Sequence, residues 1–315
     1  MSTPINSAVI DQACGVLERG GIVAVPTETV YGLAGRIDRP EAIRAIFELK
    51  GRPLFDPLIV HIGEPVQLGA LTRDVPEVLA LISERFWPGP LTIVLPKSEA
   101  VSDLITAGFP TVGVRMPLHP TAREIARRMI FAAPSANRFT RVSPTTAEHV
   151  RSEFPDAGLL IIDGGESEHG LESTVIDYVG DVVRILRPGM ITAEQIESVL
   201  SERFPSTKVI SASSAAAPGQ LKEHYRPAIP LVIVSESTSI SAALMKDLGI
   251  QGEQSIELEL GADPILLARR LYSDLRTLSD LGADFIVVRK RADMQGGYWN
   301  AIWNRLERAA TAIIP

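Results

Sequence analysis

Short apolar runs, each closed by glycine or proline, recur through the first two thirds of this chain and leave it few architectures. Ile22–Val25, Leu58–Ile62, Leu91–Leu95, Val112–Val114, Ile130–Ala133, Leu159–Ile162, Val175–Ile176 and Val182–Leu186 each read as a buried strand, by length, β-branching and flanking breakers. Helical spacing fills the gaps. Pro40–Leu49 places Ile43, Ile46 and Phe47 on one face, and Val75–Phe86 does the same with Val78, Leu79, Ile82 and Phe86. Thr121–Met129 and Thr145–Phe154 follow suit. Thr192–Leu200 opens with Thr192 as N-cap and Gln195 three residues on, the pattern of a capping box. Strands mixed with helices in this way imply an α/β (α+β) domain on a curved mixed sheet, spanning residues 1–205.

Residues 206–228 change character. Ser211–Gly219 is small and polar, as a linker is, but Lys222-Glu-His-Tyr-Arg-Pro227 is not. A flexible tether has little use for His224, Tyr225 and Arg226 in a row. Beyond it, residues 229–315 alternate strands (Leu231–Val234, Ile256–Leu260, Phe285–Val288) with helices (Ser239–Leu248, Pro264–Leu278, Asn300–Ala312). That alternation predicts a small, open, Rossmann-like α/β domain.

Composition removes several function classes. The net charge of -7 argues against broad nucleic-acid binding, which needs a basic face. Cys14 is the only cysteine, so neither a disulfide nor a cysteine metal site is expected, in keeping with a reducing cytoplasm. No run of about 18 apolar residues suggests a membrane-spanning helix. Met1–Asp11 lacks the basic start and apolar core of a signal peptide.

The polar residues at strand ends point to an anionic ligand. Pro26-Thr-Glu-Thr-Val-Tyr-Gly32 sets hydroxyls at the end of the first strand, and Lys50 and Arg52 flank one glycine after a helix. On an extended segment both cations face one side and suit a triphosphate; alone, the pair reads first as solvated surface charge, and the Thr cluster and Pro57–His61 beside it bring the two readings level. His61 ends a strand, either as a satisfied half-buried histidine or as a contact to a carboxylate or hydroxyl. Arg115 sits within Val112-Gly-Val-Arg-Met-Pro117 and needs an internal carboxylate or an anionic ligand. Ser135 and Asn137 leave a strand on one side, and Ser143-Pro-Thr-Thr146 reads as a helix N-terminus; together they offer a phosphate or ribose seat, or simple capping. Arg187, before Pro-Gly, clamps a phosphate or caps a turn. Asp56 and Glu28 are the carboxylates placed to face a magnesium–nucleotide complex. The usual phosphate-binding and dinucleotide-binding glycine loops are absent, as are zinc-protease and hydrolase motifs.

Taken together, these segments resemble the threonylcarbamoyl-AMP synthase family in its long form, a YrdC-like domain with a C-terminal extension. The matching motifs are Pro26–Gly32, Lys50-Gly-Arg52, Asp56–His61, Trp87–Thr92, Val114–Pro117, Pro134–Asn137, Glu172-Ser-Thr174, Arg187-Pro-Gly189 and the linker's Pro218-Gly219, His224-Tyr225 and Pro227. The resemblance implies synthesis of threonylcarbamoyl-AMP and pyrophosphate from L-threonine, bicarbonate and ATP, with magnesium alongside the nucleotide. It implies a product passed to a separate tRNA-modifying transferase, without a stable nucleic-acid complex of its own. Carried over by position, Thr29, His61, Arg115, Ser173 and the Ala133 backbone would hold threonine. Lys50, Arg52, Asp56, the Thr111 backbone, Ser135, Asn137, Ser143 and Arg187 would line the ATP site, with Tyr225 closing over it. Lys50 and Arg52 would stabilise the reacting phosphates, and no resident metal is implied. The chain departs from the family at Asp56, where many relatives carry Asn, and at Arg138-Phe-Thr-Arg141, where glycine is common.

Two other readings remain open at this point: an RNA-binding protein, or another enzyme handling a carbamoyl-adenylate. Threonine-dependent pyrophosphate release separates them. Arg52→Ala and Arg115→Ala are each expected to abolish that release without unfolding the chain.

Overall fold

A computed structural model describes residues 7–212, 224–238, 240, 246 and 248–314. The first domain contains strands β1 (Val23–Val25), β2 (Gly32–Arg36), β3 (Ile59–His61), β4 (Leu91–Pro96), β5 (Thr111–Arg115), β6 (Phe131–Ala132), β7 (Leu160–Ile161), β8 (Thr174–Val179), β9 (Val182–Arg187) and β10 (Lys208–Ser211). They form one mixed sheet in the order β10-β9-β8-β4-β5-β3-β6-β2-β1-β7. Its helices are α1 (Ser7–Glu18), α2 (Pro40–Lys50), α3 (Leu68–Leu71), α4 (Glu77–Phe86), α5 (Asp103–Thr106), α6 (Pro120–Arg128), α7 (Ala147–Glu153) and α8 (Ala193–Leu200). The capping box expected at α8 forms: the Gln195 amide N–H donates to Thr192 Oγ1, and the Gln195 side chain accepts from the Thr192 N–H at 2.8 Å.

The second domain has a four-stranded parallel sheet of β11 (Leu231–Ser235), β12 (Ser255–Glu257), β13 (Phe285–Lys290) and β14 (Ala312–Ile314), in the order β12-β13-β11-β14. It also carries helices α9 (Pro264–Asp280) and α10 (Gly297–Ala309). Asp263 accepts the Ile265 and Leu266 amides at the start of α9, with Pro264 in its first turn. Three local expectations change. The final helix ends at Ala309 and the chain continues as β14, rather than staying helical to 312. Lys208–Ser211, inside the expected linker, forms an edge strand parallel to β9. The expected helix Ser239–Leu248 falls largely outside the described residues, as do residues 213–223 of the linker.

Register places the functional side chains. β3 and β5 run parallel with His61 opposite Arg115, and β4 is antiparallel to β5 with Thr92 opposite Arg115. Directly paired residues share a sheet face, so His61, Arg115 and Thr92 stand side by side. The domains meet through a shared apolar core. Val30, Val142, Leu171 and Met190 pack with Tyr225, with Leu267, Leu271 and Tyr272 of α9, and with Ile302 and Leu306 of α10. Gly170 marks a close approach between them: its φ is +71, and a Cβ there would fall on the backbone carbonyl of Arg269 in α9.

Candidate functional site

The floor of the site is built by a turn that satisfies itself. Thr27 Oγ1 accepts the amides of Thr29 and Val30, both at 3.2 Å, and lies 2.8 Å from Thr29 Oγ1. Backbone groups at the end of β1 are thereby satisfied without a helix or sheet partner, which frees the turn to present hydroxyls.

Arg115 is the hub above this turn. It donates to Glu28 Oε1 at 2.6 Å, to Thr29 Oγ1 at 2.8 Å and to the Gly89 carbonyl at 3.3 Å. Both Arg115 and Glu28 are buried. Burial opposes ionisation of Glu28, but the Arg115 guanidinium together with backbone hydrogen bonds outweighs it and holds the carboxyl below its ordinary range. An internal carboxylate therefore does satisfy Arg115, and the pair still faces the cavity through the arginine.

His61 stacks on Phe131 with ring centroids 5.1 Å apart, and its Nδ1 lies 3.1 Å from the Ile59 carbonyl. That contact makes Nδ1 the protonated nitrogen and leaves Nε2 as an acceptor. Burial, reinforced by Arg115, pushes its pKa down to about 3, so the ring is neutral at pH 7.

Lys50 and Arg52 do not lie on an extended segment, and this expectation is corrected. Lys50 is the last residue of α2, and Gly51 turns the chain in the left-handed conformation at φ 63. The two cations consequently have different surroundings. Lys50 Nζ donates to the Ser135 and Asn137 carbonyls at 2.6 and 2.5 Å, fixing that loop from behind. Burial, with the neighbouring Arg52 charge, pushes its ammonium well below a lysine's ordinary value. Arg52 faces the cavity, donating to the Asp56 and Pro57 carbonyls at 3.2 and 2.8 Å. Asp56 Oδ2 lies 2.9 Å from the Arg52 guanidinium, a charge contact whose geometry falls short of a hydrogen bond. Asp56 and Glu28, expected to face magnesium, both face arginines instead.

On the opposite wall, Ser173 Oγ is 2.7 Å from Thr92 Oγ1 and accepts from Arg187 at 3.1 Å. Glu172 accepts from Ser143 at 2.6 Å. Burial alone would raise the Glu172 pKa, but Arg305 and Arg187 together bring it down to about 2. The linker closes the rim with Tyr225, which is buried at φ +63 in the region that favours glycine. Tyr225 Oη and His224 Nδ1 are buried and have no hydrogen-bond partner among the described residues. Such orphaned atoms in a cavity wall are sites for a ligand's polar groups. Thr140 also takes φ +68 where relatives often have glycine, and its carbonyl accepts the Arg226 amide at 2.7 Å. The departure at Arg138–Arg141 leaves that turn in the left-handed geometry glycine would have given it.

One cavity thus gathers Thr29, Arg52, His61, Arg115, Ala133, Ser135, Ser173, Arg187 and Tyr225. Lys50, Asp56, Thr111, Asn137 and Ser143 do not line it. Asn137 turns its amide to the Arg138 and Arg141 carbonyls, and Thr111 begins β5 at the end away from Arg115. Thr27, Glu172 and His224 line the cavity without having been assigned to it. Their signals were present in the sequence: Thr27 and Glu172 sit inside the motifs quoted above, and His224 is half of the linker's aromatic pair.

A mixed-sheet domain whose cleft collects guanidinium groups, hydroxyls and a neutral imidazole, closed by an aromatic from the linker, has the site of an enzyme for small anionic substrates. The comparisons with known proteins make this specific. A family model described as telomere recombination matches residues 15–189, and the model of the threonylcarbamoyl-AMP synthase C-terminal domain matches residues 191–311. The threonylcarbamoyl-AMP synthase of Pyrococcus abyssi is 39% identical over 318 residues, 95% of this chain and 93% of that one. The Bacillus subtilis synthase is 38% identical over 326 residues, 97% and 94% of the two chains. The crystal structure of P. abyssi Sua5 complexed with L-threonine superposes with a TM-score of 0.86 at 36% identity, covering 100% of this chain and 98% of that one. The chain belongs to the threonylcarbamoyl-AMP synthase family.

Proposed function

We propose that this chain condenses L-threonine, bicarbonate and ATP into threonylcarbamoyl-AMP and pyrophosphate. The observation that carries the reading is the convergence of Thr29, His61, Arg115 and Ser173 with Arg52 and Arg187 in one cavity. Arg115 supplies a fixed charge for the amino-acid carboxylate, Thr29 and Ser173 supply hydroxyls, and His61 Nε2 offers an acceptor. The Ala133 backbone completes that end. Arg52, Ser135, Arg187 and Tyr225 form the nucleotide end.

Four guanidinium groups (Arg52, Arg115, Arg187, Arg305) face three carboxylates (Glu28, Asp56, Glu172) around the site, an excess of positive charge that favours a triphosphate. In the reaction the threonine nitrogen forms a carbamate with bicarbonate, releasing water. A carbamate oxygen then bonds to the α-phosphorus while the bond to the β-phosphate oxygen breaks and pyrophosphate leaves. This is nucleotidyl transfer. Arg52 and Arg187 stabilise the charge developing on the phosphates, and the walls hold carbamate and phosphorus in reach. Lys50, Asn137, Ser143, Thr111 and Asp56 act from behind, by shaping the walls. Magnesium enters with the nucleotide: among the described residues no group of three His, Cys, Asp or Glu side chains could hold an ion.

The cavity holds about 60 Å³, room for a handful of waters at the ~10–15 Å³ each requires, so its walls must part for ATP, and we assign that motion to Tyr225 at the rim. Closure afterwards excludes water from a labile carbamate and a mixed anhydride. The product is passed to a tRNA-modifying transferase. Pyrophosphate release measured with threonine, bicarbonate and ATP omitted in turn tests the reading: release must require all three, and release without threonine overturns it.

A further inference from the structure

The C-terminal domain reaches into the site wall. Glu172 Oε2 accepts from Arg305 Nε at 2.8 Å and from Tyr272 Oη at 2.9 Å, across 133 and 100 residues of sequence. The other carboxylate oxygen takes Ser143, so Glu172 is fully engaged from two domains. Arg305 also donates to the Pro188 carbonyl at 2.8 Å, beside the Arg187-Pro-Gly189 turn. The same two residues grip the linker tyrosine: the Tyr272 ring stacks on Tyr225 at 5.7 Å and 22°, and the Arg305 guanidinium lies 5.3 Å from the Tyr225 ring centroid.

Tyr225 holds a left-handed backbone at φ +63, and such a conformation persists only where its surroundings over-determine it. Here the flanking amides are held by the Arg308 and Thr140 carbonyls, at 3.2 and 2.7 Å, while Tyr272 and Arg305 hold the ring. Arg305 is almost fully buried, yet its charged head is not placed for the ordinary work of a domain interface. An interface ion pair would join surface to surface. This one joins the C-terminal domain to a residue of the cavity wall and to the aromatic that closes it.

We propose that Tyr272 and Arg305 are positioning residues for adenylate formation: they fix Glu172, and through it Ser173 and Arg187, while backing Tyr225 in its closed position. The site is complete only when the C-terminal domain is seated. This rests on the synthase reading above and assigns that domain a task within it.

The test uses the full chain. Tyr272→Phe keeps the stacked ring and removes the donor to Glu172; Arg305→Lys keeps the charge and removes the planar fork. Arg276→Gln is the comparison. Arg276 joins the same two domains, through Glu153 at 3.0 Å and the Val142 carbonyl, but touches neither Glu172 nor Tyr225. Two readouts are taken: kcat and KM for ATP and threonine from pyrophosphate release, and amide hydrogen exchange at residues 224–226.

Tyr272→Phe and Arg305→Lys are each expected to lower kcat/KM for ATP about tenfold or more, the scale of a lost hydrogen bond to a buried charge. Exchange at 224–226 is expected to quicken in both, while Arg276→Gln stays within about twofold of the parent. Equal effects in all three variants, or parent-like kinetics in the first two, overturn the proposal and leave a plain interface. An inactive parent chain instead refutes the synthase reading, and the exchange measurement still decides the positioning.

Discussion

Arg115 and Glu28 allow fold and function to be separated within one pair of side chains. Arg115→Ala strands a carboxylate that is 3% exposed and loses contacts at 2.6, 2.8 and 3.3 Å. Removing one partner of a buried pair costs about 3–5 kcal/mol, a large share of the ~5–15 kcal/mol that stabilises a typical domain. The expectation that Arg115→Ala abolishes activity without loss of fold is thereby revised. The stranded Glu28 also acquires a raised pKa, since burial then faces only its remaining backbone hydrogen bonds. A group with a raised folded pKa stabilises at low pH and loses that contribution as pH rises, so this variant is less destabilised at pH 5 than at pH 7.

Glu28→Gln combined with Arg115→Ala removes the stranded charge. It should recover about 1–3 kcal/mol relative to Arg115→Ala alone and lose the part of the pH dependence that Glu28 contributes. Urea unfolding at the two pH values reads stability, and threonine-dependent pyrophosphate release reads function. The double variant is expected to be refolded and still inactive. An Arg115→Ala chain destabilised by under about 1 kcal/mol, or a double variant no more stable than the single, would refute the reasoning.

Arg52→Lys keeps the charge but not the fork that reaches the Asp56 and Pro57 carbonyls, and kcat should fall about 10²-fold while the urea midpoint changes little. His61 and His224 are buried neutral with pKa values near 3, against 6.5 in the unfolded chain. The unfolded state therefore binds the protons first, and stability falls as pH drops from about 6.5 toward 3, by up to about 1.4 kcal/mol per unit for each histidine. His61→Gln should flatten that slope in chemical denaturation, and an unchanged slope would count against burial as the cause. Gly170→Ala forces a methyl onto the Arg269 carbonyl, so it should quicken amide exchange at 224–226 without touching any cavity residue. Parent-like exchange there would mean that the domain contact at Gly170 yields easily.

Strands were legible where β-branched runs met breakers, and illegible where pairing alone makes them. β2, Gly32-Leu-Ala-Gly-Arg36, has two glycines and no β-branched residue, and it is held between β1 and β6. α1 was not foreseen although Ile10, Ala13, Cys14 and Leu17 have helical spacing and bury one face, so that signal was there to be used. β14 was absorbed into a helix because Ala309-Ala-Thr-Ala312 carries no glycine or proline to mark where α10 ends. In the site, the residue types and their motifs marked Thr29, Arg52, His61, Arg115, Ser173 and Arg187, and all six line the cavity. Which partner each one meets was beyond the sequence. Glu28 finds Arg115 across 87 positions, and Glu172 finds Arg305 across 133. The division of labour between Lys50 and Arg52 followed from one left-handed glycine between them.

Isotope-labelled bicarbonate, incubated with the chain, ATP and L-threonine and followed by mass spectrometry, addresses the chemistry itself. A threonylcarbamoyl-AMP product carrying the label in its carbamoyl carbon is the predicted result. AMP or ADP accumulating with no labelled adenylate would contradict the assignment of this cavity to carbamate adenylation.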